Sequence, residues 1–283
     1  MASGLALITP PDGVTLETRG RDRFDMSNLA KISDHLRAAR ADVVINAASG
    51  PSVDASESER DLAFLMNRDA PAALARACAQ FGLPLVHLST DCVFDGAKAG
   101  PYVESDAKSP LSTYGRSKAE GEDAVLASGA TTAVLRTSWV FSAHGKNFLR
   151  TMLELARSRD EVRVVSDQIG CPTWTPDLAQ TCVALALWLQ QRQAGEQHLF
   201  HYAGPDEVSR AAQAEMIFAE SAARGMKTAR VVSVATADYP TPATRPLNAA
   251  LDSSKISRTL DIKSRSWSAA LRTCMDEIAV SDR

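Results

Sequence analysis

The sequence predicts an α/β chain, a doubly wound parallel sheet with a smaller α/β lobe, and three observations carry that prediction. Short apolar runs at Val43-Val44-Ile45, Leu83-Pro84-Leu85-Val86-His87-Leu88 and Thr132 to Thr137 have the length of strands buried on both faces. Segments of helical period lie between them, the longest from about Ser56 to Phe81 with a stripe of Leu62, Leu65, Met66 and Leu74. A polar cluster, Ser89-Thr90-Asp91, closes the second apolar run. Open α/β sheets place their chemistry at that carboxyl end of a strand.

Along the chain, Val14 to Thr18 reads as a strand and runs into Arg19-Gly20-Arg21-Asp22-Arg23-Phe24-Asp25. Ser27 is placed to cap a helix through about Arg40, because its hydroxyl can accept from the free N–H groups of the first turn. Ser109, Ser112 and Thr113 offer caps for a helix that carries Tyr114 and Lys118, with Glu120 and Glu122 in its early turns. The second half mixes types. Helices are expected over about 146–158, 176–191, 208–223 and 267–280, with short strands at 162–165, 198–202 and 230–234.

Composition narrows the function classes. With 283 residues the chain can bury one large core or two smaller ones. A net charge of −3 leaves no basic footprint and argues against nucleic acid as a general partner. Five scattered cysteines without a C-x-x-C pair suggest free thiols in a reducing, cytoplasmic compartment. No apolar run reaches the ~18 residues of a membrane span, so no membrane partner is expected. His198 and His201 lie three apart on a predicted strand and face opposite sides, which argues against a metal site there.

The sharpest chemical signal is Tyr114 with Lys118, four apart and therefore on one helix face. An unperturbed phenol titrates near pH ~10, and a nearby ammonium lowers that value and makes tyrosine a usable general acid. Thr90 could hold a substrate oxygen within reach of the Tyr114 hydroxyl. A bare Tyr-x-x-x-Lys is common on solvated helices. The Ser-Thr-Asp cluster at a strand end upstream tips the balance to catalysis.

These residues carry a family resemblance. Ser89-Thr90-Asp91 with Val93-Phe94-Asp95-Gly96, then Tyr114-Gly115-Arg116-Ser117-Lys118, resembles the extended short-chain dehydrogenase/reductase family, and within it the dTDP-4-dehydrorhamnose reductases. The likeness continues at Val44 to Ala48, Val53-Asp54, Arg136 to Phe141, Asp167 to Thr173 and Tyr239 to Pro246. It implies a Rossmann-like sheet, with 1–145 and 176–204 binding a dinucleotide and 146–175 with 205–283 forming the substrate lobe. In that frame Met1 to Ile8 looks like the end of the first helix, so the first strand and its glycine-rich, pyrophosphate-cradling turn are missing. A start site placed too far downstream is the favoured explanation, since everything later keeps the pattern. A truncated, inactive product is the alternative.

The resemblance also implies roles. Thr90, Tyr114 and Lys118 are catalytic, and Arg21, Asp25, Met26, Ala47, Ala48 and Asn67 join Tyr114 and Lys118 at the cofactor. Val53, Asp91, Trp139 and Arg245 face the sugar nucleotide, with Arg245, stiffened by nearby prolines, as a diphosphate clamp. The implied reaction is NADPH-dependent reduction of the 4-keto group of a nucleotide-linked deoxysugar, dTDP-4-dehydro-L-rhamnose to dTDP-L-rhamnose. Arginines after the second strand suit the 2′-phosphate of NADPH, with NADH as the alternative. Some relatives bind Mg²⁺ through carboxylates at an interface, but Asp54, Glu57 and Glu59 match too loosely to carry that over, and a homodimer is compatible with the chain. The chain departs from the family at Ser49-Gly50-Pro51-Ser52, at two places within Thr244-Arg245-Pro246-Leu247-Asn248-Ala249, where the family shows Arg-Arg-Pro and then Asn-Ser, and near Val208-Ser209, where a tryptophan is expected. A related epimerase or dehydratase, or a non-catalytic binding subunit of the same fold, are the rival readings.

Overall fold

The computed structural model describes residues 2–6 and 8–281. After a short helix α1 (Ala2–Leu5) and a long irregular stretch come α2 (Ile32–Ala39), β1 (Val44–Asn46), α3 (Ala55–Ser58), α4 (Arg60–Phe64) and α5 (Ala70–Phe81). They lead to β2 (Leu85–Thr90), α6 (Thr113–Leu126), β3 (Thr132–Thr137), β4 (Val140–Phe141), α7 (Phe148–Ser158), β5 (Glu161–Val165), β6 (Ile169–Gly170) and β7 (Thr173–Trp174). The chain closes with α8 (Thr175–Leu189), β8 (Gln197–His201), β9 (Val208–Ser209), α9 (Arg210–Ala222), β10 (Arg230–Val234), β11 (Asn248–Ala249), α10 (Ser254–Leu260) and α11 (Trp267–Ser281).

The central sheet runs β1-β2-β3-β8, every neighbouring pair parallel. Parallel neighbours need crossover connections, and α5 and α6 supply them between β1, β2 and β3. Side chains alternate across the strands, which is why the sheet is covered twice. Val86, Leu88, Ala133 and Leu135 face α8 and α10, whereas Leu85 and Val134 face α2, α5 and α6. A separate core joins α7, α9 and α11 to β5 around Phe141, Leu149, Ile217 and Trp267, beside the parallel pair β5–β10. Among the described residues no helix is long and apolar enough to cross a membrane.

Three expectations need correction. Residues 14–18 form no strand: Leu16 packs against the core under α8, but the segment joins no ladder, and β1 pairs only with β2 among the described residues. Ser27 does not cap a helix, because its N–H and hydroxyl both donate to Asp25 Oδ1 at 2.9 and 2.6 Å. A 3₁₀ turn over Leu29–Lys31 opens α2 instead. The long helix over 56–81 is broken at Glu59 and passes through a π-helical turn, Leu65–Asp69, before α5. At the break Glu59 leaves helical geometry (φ −109°, ψ 47°), while Glu57, still within α3, uses its carboxylate to accept from Thr113 N and Oγ1, both at 2.8 Å, at the start of α6. A row of short strands (β4, β6, β7, β9 and β11) escapes the sequence pattern because two residues carry no periodicity.

Candidate active site

The carboxyl ends of β2 and β3 and the start of α6 converge on one cavity of about 340 Å³. It is lined by Thr90, Asp91, Cys92 and Tyr114 on the sheet side, and by Trp139, Gln168, Arg210 and Arg245 opposite. Two glycines let α6 approach this closely. A Cβ at Gly115 would stand 2.2 Å from the Cys92 carbonyl oxygen, and one at Gly121 would stand 1.9 Å from that of Asn67. Ser112 caps the helix through its hydroxyl to Gly115 N at 3.1 Å, which sets the direction of Tyr114.

Tyr114 lines the cavity beside Thr90, and Ser49, on the loop after β1, is near enough to favour the charged form of Tyr114. Burial, reinforced by the Cys92 thiol, pushes its pKa above the ordinary phenol value. Lys118 is buried and donates to the Leu88 carbonyl oxygen at 2.6 Å, and burial brings its pKa down to about 8. The expectation that Lys118 lowers the Tyr114 pKa is therefore not met in this geometry. The ammonium is satisfied by a strand carbonyl, and desolvation of the phenol outweighs every stabilising partner. At neutral pH the phenol holds its proton with or without this shift, and desolvation makes it a weaker acid than a free phenol.

Thr90 takes an N–H bond from Cys92 at 3.1 Å and gives its own proton to Asp91 Oδ1 at 2.7 Å. The other Asp91 oxygen accepts from Ser138 Oγ at 2.9 Å, and burial raises the Asp91 pKa despite both bonds. Below the cavity floor, Arg136 and Glu122 form a two-pronged ion pair at 2.9 and 2.7 Å with both side chains almost wholly buried. Asn67 is fully buried in the π-helical turn. Its carbonyl accepts from Gly50 N at 2.9 Å and its amide donates to Ser117 Oγ at 3.0 Å. It thus ties the loop after β1, which carries Ser49, to α6. Ala47 and Ala48 begin that loop, with Ala48 N bonded to Asn46 Oδ1 at 3.1 Å.

The remaining expected residues divide. Val53, Asp91, Trp139 and Arg245 all line the cavity. Trp139 has a left-handed backbone (φ 44°), uncommon for a bulky residue, and its ring presses on Gly170, where a Cβ would stand 2.3 Å from the indole. Arg245 is held by Asp54 at 2.8 Å, and that bond lowers the Asp54 pKa. Arg21, Asp25 and Met26 lie outside the cavity. Met26 is buried in the core under α5, Asp25 is tied to Ser27, and Arg21 is exposed and 3.7 Å from Asp25. Ser49, Ser138, Gln168 and Arg210 were not expected as site residues. For Arg210 the signal was there, since it follows the Val208-Ser209 pair where a tryptophan was anticipated.

The residues present fit the nicotinamide end of a dinucleotide: a proton donor, a buried lysine and the loop after β1 meet at the mouth of a parallel sheet. Among the described residues no glycine-rich strand–turn–helix precedes β1 to meet the pyrophosphate.

A family model described as the RmlD substrate binding domain matches residues 3–280. The dTDP-4-dehydrorhamnose reductase of Sinorhizobium fredii is 42% identical over 263 residues, 93% of this chain and 88% of the relative. That of Escherichia coli K12 is 34% identical over 90% of this chain and 85% of the relative. A dTDP-4-dehydrorhamnose reductase from Bacillus anthracis, solved in complex with NADP, superposes with a TM-score of 0.88 at 27% identity, covering 97% of this chain and 94% of that one. With the sheet, the Thr90–Tyr114–Lys118 cluster and these likenesses in agreement, the chain belongs to the dTDP-4-dehydrorhamnose reductase family of NAD(P)-dependent oxidoreductases.

Proposed function

We propose that this cavity reduces the 4-keto group of a nucleotide-linked deoxysugar, dTDP-4-dehydro-L-rhamnose, with NADPH. The observation that carries the reading is the meeting of Thr90 and Tyr114 in a cavity whose far wall holds Trp139 and Arg245. NADPH supplies the hydride. Tyr114 donates its proton to the oxygen that becomes the C4 alkoxide, a contribution of typically ~10²–10⁴ in rate. Thr90 and Ser49 flank that oxygen and orient it. For Thr90 this means giving up its present bond to Asp91, so Asp91 sets the strength of the contact.

Lys118 holds the strand end through Leu88 and presents its remaining N–H donors to the cofactor ribose. Asn67 acts by positioning the Ser49 loop. The preference for NADPH is supported by Arg21, which stays exposed while Glu17 occupies Arg19 at 3.0 Å, and by the NADP bound in the Bacillus relative. In this reading 1–145 and 176–204 bind cofactor around the central sheet and 146–175 with 205–283 bind the sugar nucleotide, with α10 packing back onto the sheet. The test is NADPH oxidation followed by absorbance, with dTDP-4-dehydro-L-rhamnose as substrate and the product sugar identified. No ketosugar-dependent oxidation would refute the proposal.

A further inference from the structure

Arg210 is the first residue of α9, and that is a poor place for a cation, because the helix dipole is positive at its N-terminus. Its guanidinium nonetheless stands in the cavity wall, with its central carbon 3.4 Å from the Trp139 ring centroid and 4.8 Å from that of Phe148. Its hydrogen bond goes to a neutral group, Gln213 Oε1, at 3.0 Å. Among the described residues no carboxylate comes within salt-bridge distance of it. Asp91 is the carboxylate that acts on it most, but both Asp91 oxygens already accept hydroxyl protons from Thr90 and Ser138. Arg245, on the same wall, has its charge answered by Asp54. So the cavity holds two guanidiniums, and Arg210 is the one left without an anion.

We propose that Arg210 binds the diphosphate of the nucleotide-linked sugar and determines specificity for it, with Arg245 in support. The assignment rests on the sugar-nucleotide reading above, whose substrate carries its negative charge on the diphosphate. The stacked indole holds the guanidinium plane fixed, which preserves its donors for a planar, two-point grip on phosphate oxygens. Stacking also covers that face of Trp139, so the substrate meets guanidinium donors there in place of a bare indole.

The experiment titrates the 283-residue chain with dTDP and with thymidine by calorimetry, for wild type, Arg210→Met and Arg210→Gln. Both variants should lose at least ~10-fold in dTDP affinity, the weaker end for one charge-assisted hydrogen bond, with thymidine unchanged. In turnover, KM for the ketosugar nucleotide should rise while kcat stays within about threefold. If Met disrupts the fold, as a melting curve would reveal, the Gln variant alone decides. Undiminished dTDP affinity, equal losses for dTDP and thymidine, no dTDP binding by wild type, or a fall in kcat at constant KM would each overturn the assignment. Arg210-dependent dTDP binding without ketosugar turnover would instead sink the reductase reading and leave Arg210 in place. Turnover that Arg210→Met leaves intact would do the reverse.

Discussion

Two arginine–carboxylate pairs, one beneath the cavity and one beside the expected cofactor adenosine, show how differently the same chemistry behaves in two parts of this molecule. Arg136 and Glu122 meet at 2.7 Å with side chains 3% and 1% exposed. Arg21 and Asp25 approach to 3.7 Å with side chains 81% and 38% exposed. The buried pair cannot be hydrated, so each partner is indispensable to the other, and Arg136 is further fixed over the Phe94 ring at 5.0 Å. The exposed pair competes with water and salt, and contributes on the order of 0–1 kcal/mol. The proton-donor end of the site is thus built into the core. The arginine-rich arm is free to answer a ligand.

Breaking the buried pair should have the largest effect. Arg136→Ala leaves Glu122 charged in the core, with Lys108 3.5 Å away as the remaining cation. A loss of about 3–5 kcal/mol is expected in denaturant unfolding. A loss below about 1 kcal/mol would mean that water reaches Glu122 and that the two regions differ less than their burial suggests.

Lys118 sharpens the comparison through pH. Its pKa falls from an ordinary 10.5 to about 8 in the folded chain. Below pH 8 both states hold the proton and the cost of burying the charge is fully present. Between about pH 8 and 10.5 the unfolded chain binds more protons, so stability contributed through this group rises with pH. Wild type should therefore gain stability relative to Lys118→Met from pH 7.5 to 10, measured as a difference in unfolding free energy. A constant difference would show that Lys118 is not desolvated.

The smallest effect belongs to the exposed arm. Arg21→Ala should raise KM for NADPH a few-fold, leave KM for NADH nearly unchanged, and have no measurable influence on melting. Charge-assisted contacts at so exposed a position are screened, so the NADPH effect should shrink further at high salt. Equal changes for both cofactors would remove Arg21 from 2′-phosphate recognition.

What was legible in the sequence follows the same divide. Strands β2 and β3 announced themselves because both faces are buried, and Tyr114 and Lys118 because helical spacing places them together. Ser49 was invisible: it sits on a loop, and its place near Tyr114 depends on Asn67, whose bonds to Gly50 and Ser117 span two elements. The break at Glu59 was equally hidden, as was the bond between Glu57 and Thr113, which joins two elements far apart in the chain. Val14 to Thr18 has the alternation of a strand, but alternation cannot provide a ladder partner. Arg210 appeared only as a missing tryptophan, and its meaning required seeing which charge in the cavity lacks a counterpart.

The central claim is that Tyr114, at the cavity wall beside Thr90, is the proton donor of a ketosugar reduction. Its most direct test is kcat for Tyr114→Phe with NADPH and dTDP-4-dehydro-L-rhamnose, alongside the affinities for NADPH and dTDP. The account predicts a fall in kcat of at least ~10²-fold with both affinities within about threefold of wild type. A Phe variant that turns over at the wild-type rate would contradict it.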